Sequence, residues 1–235
     1  MTEYISKDRL FSIIAHDLRN PVGSIKGLAG LLVEDYETLS SKEIKDYVQM
    51  IHTASESAHI LLENLLQWAA SQDGRLRLSP DNADLYQIVS DKLAIFREDA
   101  RRKNICFTSL IEKDTYVFAD VRCLKIIIRN LVSNAVKFTP CGGEVKISSR
   151  TADEEEFIEI TVCDTGIGMS KENMDRLFTA DGYRISFGTE REPGSGLGLM
   201  LCKDLVEKNG GEIWAESKIG KGSELKFTLP RVKLP

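Results

Sequence analysis

Between residues 4 and 36 the apolar positions Ile14, Leu18, Val22, Ile25, Ala29, Leu32 and Tyr36 recur at steps of three and four. That spacing holds them on one stripe and predicts a long helix packed on others. A second stripe, Ile44, Val48, Ile51, Ala58, Leu62, Leu65 and Ala69, is flanked by Tyr47, Ala54, Leu61 and Trp68. Residues 38–42 make a polar break between them, and Ser41 is expected in the N-cap region of the second helix. The result is an all-α helical hairpin. Two helices alone enclose too little core, so a second copy is the natural cover, and a four-helix bundle as a homodimer through residues 1–72 is expected.

Residues 71–80, with Gly74 and Pro80, end the hairpin, and 73–78 read as a linker. Beyond it the pattern changes. Residues 84–103 are periodic enough for one amphipathic helix, 105–111 and 115–119 for strands, and 120–138 for a further helix. Residues 144–150 and 157–164 alternate or are rich in β-branched residues, as neighbouring strands would be. The glycine-punctuated stretch 166–193 is long enough to be a functional loop. A helix over 196–209 and closing strands over 212–217 and 223–229 complete residues 79–231 as a second domain. Strands and helices mix without βαβ alternation, which favours an α+β sandwich over a doubly wound sheet.

Composition narrows the classes. Across 235 residues, 42% are hydrophobic and 29% charged, as in a soluble globular protein, and a net charge of −5 argues against a broad nucleic-acid surface. Cys106, Cys123, Cys141, Cys163 and Cys202 are odd in number and never spaced as CxxC, so neither a zinc site nor a disulfide framework is indicated, and a cytoplasmic location is expected. No apolar run is long enough to span a bilayer. Membrane attachment is expected only through sensor segments outside this sequence.

The candidate chemistry begins at His16 in Phe11-Ser-Ile-Ile-Ala-His16-Asp17-Leu-Arg-Asn20-Pro21. At about 100° per residue, His16 is turned away from the Ile14 and Leu18 seam, where an imidazole with a free lone pair can act as a nucleophile. Asp17 can hold the proton of one ring nitrogen, Asn20 shares the histidine's face, and Pro21 loosens the helix one turn later. A solvated surface histidine is the plain alternative, and it suits His52 and His59, which lack such neighbours. Asn130, Asn134 and Lys137 fall at i, i+4 and i+7, putting two amides and an ammonium on one helical face; amide oxygens ligate Mg²⁺ and lysine neutralises phosphate. Asp164 ends a strand ahead of Gly166 and Gly168, where a carboxylate can accept from an adenine amine, although Asp-x-Gly also occurs in ordinary turns. Gly194-Ser-Gly196-Leu197-Gly198 opens a helix whose free N–H groups can meet phosphate. It is not the Rossmann fingerprint, and no P-loop occurs.

In order, these segments resemble the H, N, G1, F and G2 boxes of the sensor histidine kinase family, with Leu177-Phe178 as the F box and Gly220-Lys-Gly222-Ser223 as the last glycine motif. The resemblance implies a dimerisation and histidine phosphotransfer domain over 1–72 and a Bergerat-type ATP-binding sandwich over 79–231. It implies that His16 takes the γ-phosphoryl group of ATP on Nε2 while Asp17 manages the Nδ1 proton, and that Asn20 serves a phosphatase reaction. Asn134 would ligate Mg²⁺ with Asn130 near the transferring phosphate, and Lys137 would contact phosphate while Phe138 packs along the nucleotide. Asp164 would read the adenine amine, and Gly166, Gly168, Gly194, Gly196, Leu197 and Gly198 would shape the pocket and its lid, which offers Arg184 and Arg191 as cations. The phosphoryl group would pass to an aspartate of a response-regulator receiver domain. A Bergerat-fold ATPase coupling hydrolysis to conformational change is the alternative. Such enzymes place a glutamate base where this chain has Asn130.

Overall fold

The computed structural model describes residues 7–72, 78–152, 156–179, 188–189 and 197–232. The chain divides into two compact units, Met1–Ala70 and Ser71–Pro235.

The first unit holds two helices, α1 (Lys7–Glu34) and α2 (Ser41–Gln72). Helix α1 runs through Pro21. The turn after it is closed on the Asp35 carbonyl, which accepts from the Thr38 N–H at 2.9 Å and the Leu39 N–H at 3.1 Å. Helix α2 opens with a capping box centred on Ser40, one residue before the expected Ser41. The Ser40 Oγ accepts from the Glu43 N–H, and the Glu43 carboxylate accepts from the Ser40 N–H at 2.8 Å. Along the seams Leu18, Ile25, Ala29 and Leu32 are half-buried with Ile44, Ile51, Ala58 and Leu65. Yet Val22 and Val48 on the same seams are exposed, as are Leu31, Val33, Tyr36, Met50, Leu62 and Leu66. So many uncovered apolar side chains on one hairpin leave a surface suited to further helices.

The second unit is a two-layer sandwich. Its five-stranded sheet is ordered β2 (Cys106–Ser109), β4 (Glu144–Thr151), β5 (Phe157–Asp164), β7 (Gly222–Pro230), β6 (Ile213–Lys218), with only the β2–β4 pair parallel. Strand alternation gives the sheet two chemistries. Val145, Ile147, Ile158, Ile160, Val162, Leu225, Phe227 and Leu229 are buried. On the other side of the pleat Arg150 pairs with Glu159 at 2.8 Å, and Lys226 reaches both Glu216 and Glu224 at 2.8 Å. Helices α3 (Leu85–Ile95), α5 (Val121–Phe138) and α7 (Leu197–Lys208) cover the apolar side. A short antiparallel pair, β1 (Asp81–Asp84) with β3 (Tyr116–Ala119), flanks them.

Three local features differ from expectation. The helix expected over 84–103 is broken at Phe96 into α3 and α4 (Arg97–Arg102). Strand β1 is new; its Asp-Asn-Ala-Asp sequence carries no alternating apolar signal and is extended through its pairing with β3. Among its described residues the long loop contains a short helix, α6 (Lys171–Arg176), capped by the Ser170 hydroxyl, which accepts from the Asn173 N–H.

Helix α5 is the centre of the packing. Cys123, Leu124, Ile127, Ile128, Leu131, Val132, Ala135 and Val136 form its buried stripe. At its start Asp120 accepts from the N–H groups of Arg122, Cys123 and Ser79 at 2.9, 3.3 and 3.0 Å, and its own N–H donates to Asn209 Oδ1 at 2.8 Å. The Arg122 guanidinium and these N–H groups hold the Asp120 carboxyl well below the usual carboxylate range. A lowered carboxyl pKa contributes stability above the unfolded value and loses it as pH falls through the folded one. Arg122 is 67% exposed, so solvent screens part of its share of the effect. Asp120→Ala is expected to destabilise the second unit by about 2 kcal/mol at pH 7. Thermal unfolding of the two proteins should converge as pH drops below about 4.

Candidate functional site

The polar face of α5 is positioned by its apolar one. With the stripe seated on the sheet and α7, Asn130, Asn134 and Lys137 come together on an adjacent face. Asn130 is buried, Asn134 half-buried and Lys137 buried. The Lys137 ammonium lies 5.0 Å above the Phe138 ring, a cation–π distance. Helix α7 approaches at Gly198, where an added Cβ would come within 3.0 Å of Asn130 Oδ1. Two segments well separated in sequence thus meet at one point, and the Asn130 Nδ2 is buried without a hydrogen-bond partner among the described residues. The same amide faces the buried Cys202 thiol of α7.

Asp164 ends β5 at its junction with a glycine turn. Its register partner on β7 is Ser223, and Oδ1 accepts from the N–H groups of Gly166 at 2.8 Å and Ser223 at 3.3 Å. Burial pushes its pKa up to about 6, with the two backbone bonds pulling the other way. Two glycines make this packing feasible. Gly168 (φ +66°) and Gly222 (φ +87°) sit in left-handed conformations, and a Cβ at either would strike backbone, the Lys218 carbonyl or the Asp164 carbonyl respectively. The Ile167 N–H donates to the Phe138 carbonyl at 3.1 Å, which ties the turn to the end of α5. The glycine turn and the start of α7 thus both meet α5, the one at its last turn through Ile167 and the other at Asn130 through Gly198.

The other expected site residues are placed unevenly. His16 and Asp17 lie on α1, with Asp17 buried and Asn20 exposed; the His16 side chain is outside the described residues. His52 and His59 are exposed. Leu197 is buried at the start of α7. Gly194, Gly196, Arg184 and Arg191 also fall outside the described residues. Two participants were not anticipated. Lys103, almost fully buried, donates to the Val136 carbonyl at 2.9 Å, the Lys137 carbonyl at 3.2 Å and Thr189 Oγ1 at 2.7 Å. From sequence, a lysine ending a helix reads as a solvated cation; only its position directly before the Asn104-Ile105 turn hints otherwise.

Residues 119–233 match the family of histidine kinase-, DNA gyrase B- and HSP90-like ATPases, and residues 6–74 match the His Kinase A (phospho-acceptor) domain. The chain belongs to the histidine kinase family. It is 31% identical over 235 residues to the adaptive-response sensory kinase SasA of Thermosynechococcus vestitus, covering 95% of this chain and 60% of that protein. The chain spans less than two thirds of the first curated relatives it matches. Among solved structures, the Acinetobacter baumannii histidine kinase AdeS superposes with a TM-score of 0.71 at 20% identity, over 93% of this chain and 98% of that one. Histidine kinase ThkA in complex with response regulator protein TrrA gives 0.65 at 23% identity, over 95% and 61%. The second unit of this histidine kinase therefore has the expected Bergerat-type fold, and the ATPase family match implies ATP binding.

Mg²⁺ has a narrow fit. No group of three or more His, Cys, Asp or Glu able to hold a metal occurs among the described residues. A hard cation there would rest on the Asn134 amide oxygen and the oxygens of a nucleotide, which suits Mg²⁺, since it usually keeps several waters and few protein ligands.

The raised Asp164 pKa has a defined pH signature. The folded carboxyl keeps its proton to about pH 6 and the unfolded one only to about 3.9, so the burial favours folding at low pH, and that contribution fades as pH rises from about 4 to 6. The span is worth on the order of 3 kcal/mol. Carbon-13 chemical shifts of Asp164 in the nucleotide-free protein are expected to titrate with a midpoint near 6. A midpoint below 4 would mean that water reaches the carboxyl freely.

Proposed function

We propose that this chain is an ATP-dependent autokinase core that phosphorylates its own His16 and then passes the group to an aspartate of a response-regulator receiver domain. The observation that carries the nucleotide half is the buried Asp164 carboxylate beside the Gly166–Gly168 turn, an acceptor of the kind an exocyclic amine requires. In this reading Asp164 takes a hydrogen bond from the adenine amine, Phe138 packs along the nucleotide, and Lys137 lies near its phosphates. Asn134 holds Mg²⁺, which supplies charge neutralisation on the phosphate oxygens when bound. Asn130, buried on the same face of α5, donates toward the transferring phosphoryl group.

His16 Nε2 supplies the lone pair that forms the new P–N bond as the bond to the β-phosphate's bridging oxygen breaks, releasing ADP. Asp17 holds the Nδ1 proton, which keeps the attacking nitrogen unprotonated. The amide at 130 cannot accept a proton from water, which disfavours the hydrolytic ATPase reading. The exposed Val22, Leu31, Val33, Tyr36, Val48, Met50 and Leu62 support a homodimer through residues 1–72, in which a second hairpin completes a four-helix bundle. The ThkA complex with a response regulator supports a receiver domain as partner, and attachment to a membrane would come from sensor segments outside this sequence.

With γ-labelled ATP and Mg²⁺ the chain is expected to acquire acid-labile, alkali-stable label that His16→Gln abolishes without altering nucleotide affinity. Label surviving in His16→Gln would refute the assignment. Because adenine binds the carboxylate form, ATP affinity of the unsubstituted chain is expected to fall up to tenfold per pH unit below about 6. Asp164→Asn should flatten that profile and bind about tenfold or more weakly at pH 7, as judged by calorimetry.

A further inference from the structure

The last carbonyls of α5 are satisfied by three segments that are remote in sequence. A helix end leaves four carbonyls without intrahelical partners, and here each one is taken up. Ala135 O accepts from the Thr139 N–H at 3.1 Å and Thr139 Oγ1 at 2.6 Å. Val136 O accepts from Lys103 Nζ at 2.9 Å. Lys137 O accepts from Lys103 Nζ at 3.2 Å and from the Thr189 N–H at 3.0 Å. Phe138 O accepts from the Ile167 N–H. Thr189 Oγ1 in turn accepts from Lys103 Nζ at 2.7 Å and lies within donating reach of the Lys137 and Thr139 carbonyls at 3.2 and 3.1 Å.

Lys103 has three ammonium protons, and these three acceptors lie around it. A charge this deep stays in a fold only if such partners compensate it, and the negative end of the α5 dipole does so. The bonds are therefore dear to break. They converge on the turn that bears Lys137 and Phe138, and the Ile167 bond fixes the glycine turn after Asp164 to the same turn. Thr189 lies outside all secondary structure and is fixed by its N–H and hydroxyl together.

We propose that Lys103 and Thr189 are positioning residues for the nucleotide site: the ammonium clamps the 188–189 segment to the C-terminus of α5, and the clamp sets Lys137 and Phe138 relative to the Asp164 turn. The proposal rests on the reading of that region as the nucleotide pocket. It assigns no contact with nucleotide to either residue; they act through the backbone of residues 136–139.

Thr189→Val keeps the shape of the side chain and removes the hydroxyl that receives the Lys103 proton. Thr189→Ser keeps the hydroxyl. ADP affinity by calorimetry, the unfolding temperature and amide exchange at Ile167 and Thr189 would be measured on the full chain. Thr189→Val is expected to bind ADP roughly five- to tenfold more weakly, with faster exchange at both amides and only a small fall in unfolding temperature, and Thr189→Ser should restore affinity and exchange. Lys103→Met is expected to be weaker still, and adding Thr189→Val to it should cost little more, as for two members of one cluster. Thr189→Val binding ADP as tightly as the unsubstituted chain would overturn the clamp, and so would Thr189→Ser failing to rescue. Loss of affinity matched by a large fall in unfolding temperature would also overturn it, because the role would then be structural. If the unsubstituted chain bound no ADP, the nucleotide reading would fall first and the clamp with it.

Discussion

Taking a carboxylate out of water is costly, and the nucleotide site proposed for this chain depends on one that has been. Asp164 sits at the last register position of β5 beside Ser223, with two backbone N–H groups to offset a burial that lifts its pKa to about 6. Near neutral pH the group is largely ionised yet poorly solvated, so an incoming amine donor finds an acceptor whose water has already been stripped. On the proposed reading, selectivity for adenine follows from the same fact. A base presenting a carbonyl in that place would set oxygen against oxygen, with the acceptor left unpaired.

That carboxylate is only useful if the rest of the proposed site is held in register with it, and α5 does the holding. Its first turn is capped by Asp120 and linked to the end of α7 through Asn209, which also donates to the Leu205 carbonyl at 2.7 Å. Its middle meets the start of α7 at Asn130 and Gly198. Its last turn receives the glycine turn, Lys103 and Thr189. One helix thus sets the distances between Asp164, Asn134 and Lys137, the groups proposed to meet base, metal and phosphate. The proposed phosphoacceptor, His16, stands on the separate helical unit, so nucleotide binding and histidine chemistry are expected to respond to mutation independently.

Much of this was legible in the sequence, and the pattern of success is physical. Strand β5, helix α5 and helix α7 announce themselves because each buries one face, so their periods of 2 and 3.6 are written in apolar residues. Asp164, Gly166 and Gly168 were legible because chemistry and backbone freedom demand particular residue types. The four-residue β1 was not, since its extension comes from pairing rather than from its own side chains. The break at Phe96 lacks proline or glycine, and the helical period continues across it. Ser40 and Ser41 are equally good caps in sequence, and Glu43 at the third position after Ser40 decides between them. Lys103 was hidden for a different reason. Two of its partners are main-chain carbonyls 33 and 34 residues away, which leave no trace in residue type, and another is a hydroxyl 86 residues on.

The most direct test is a structure of the chain with ADP bound. The adenine amine is expected within hydrogen-bonding distance of a carboxylate oxygen of Asp164, with the base against the Gly166–Gly168 turn and the phosphates toward Asn134 and Lys137. Adenine seated elsewhere, or bound there with its amine facing solvent and Asp164 still bonded only to Gly166 and Ser223, would contradict the role given to the buried carboxylate.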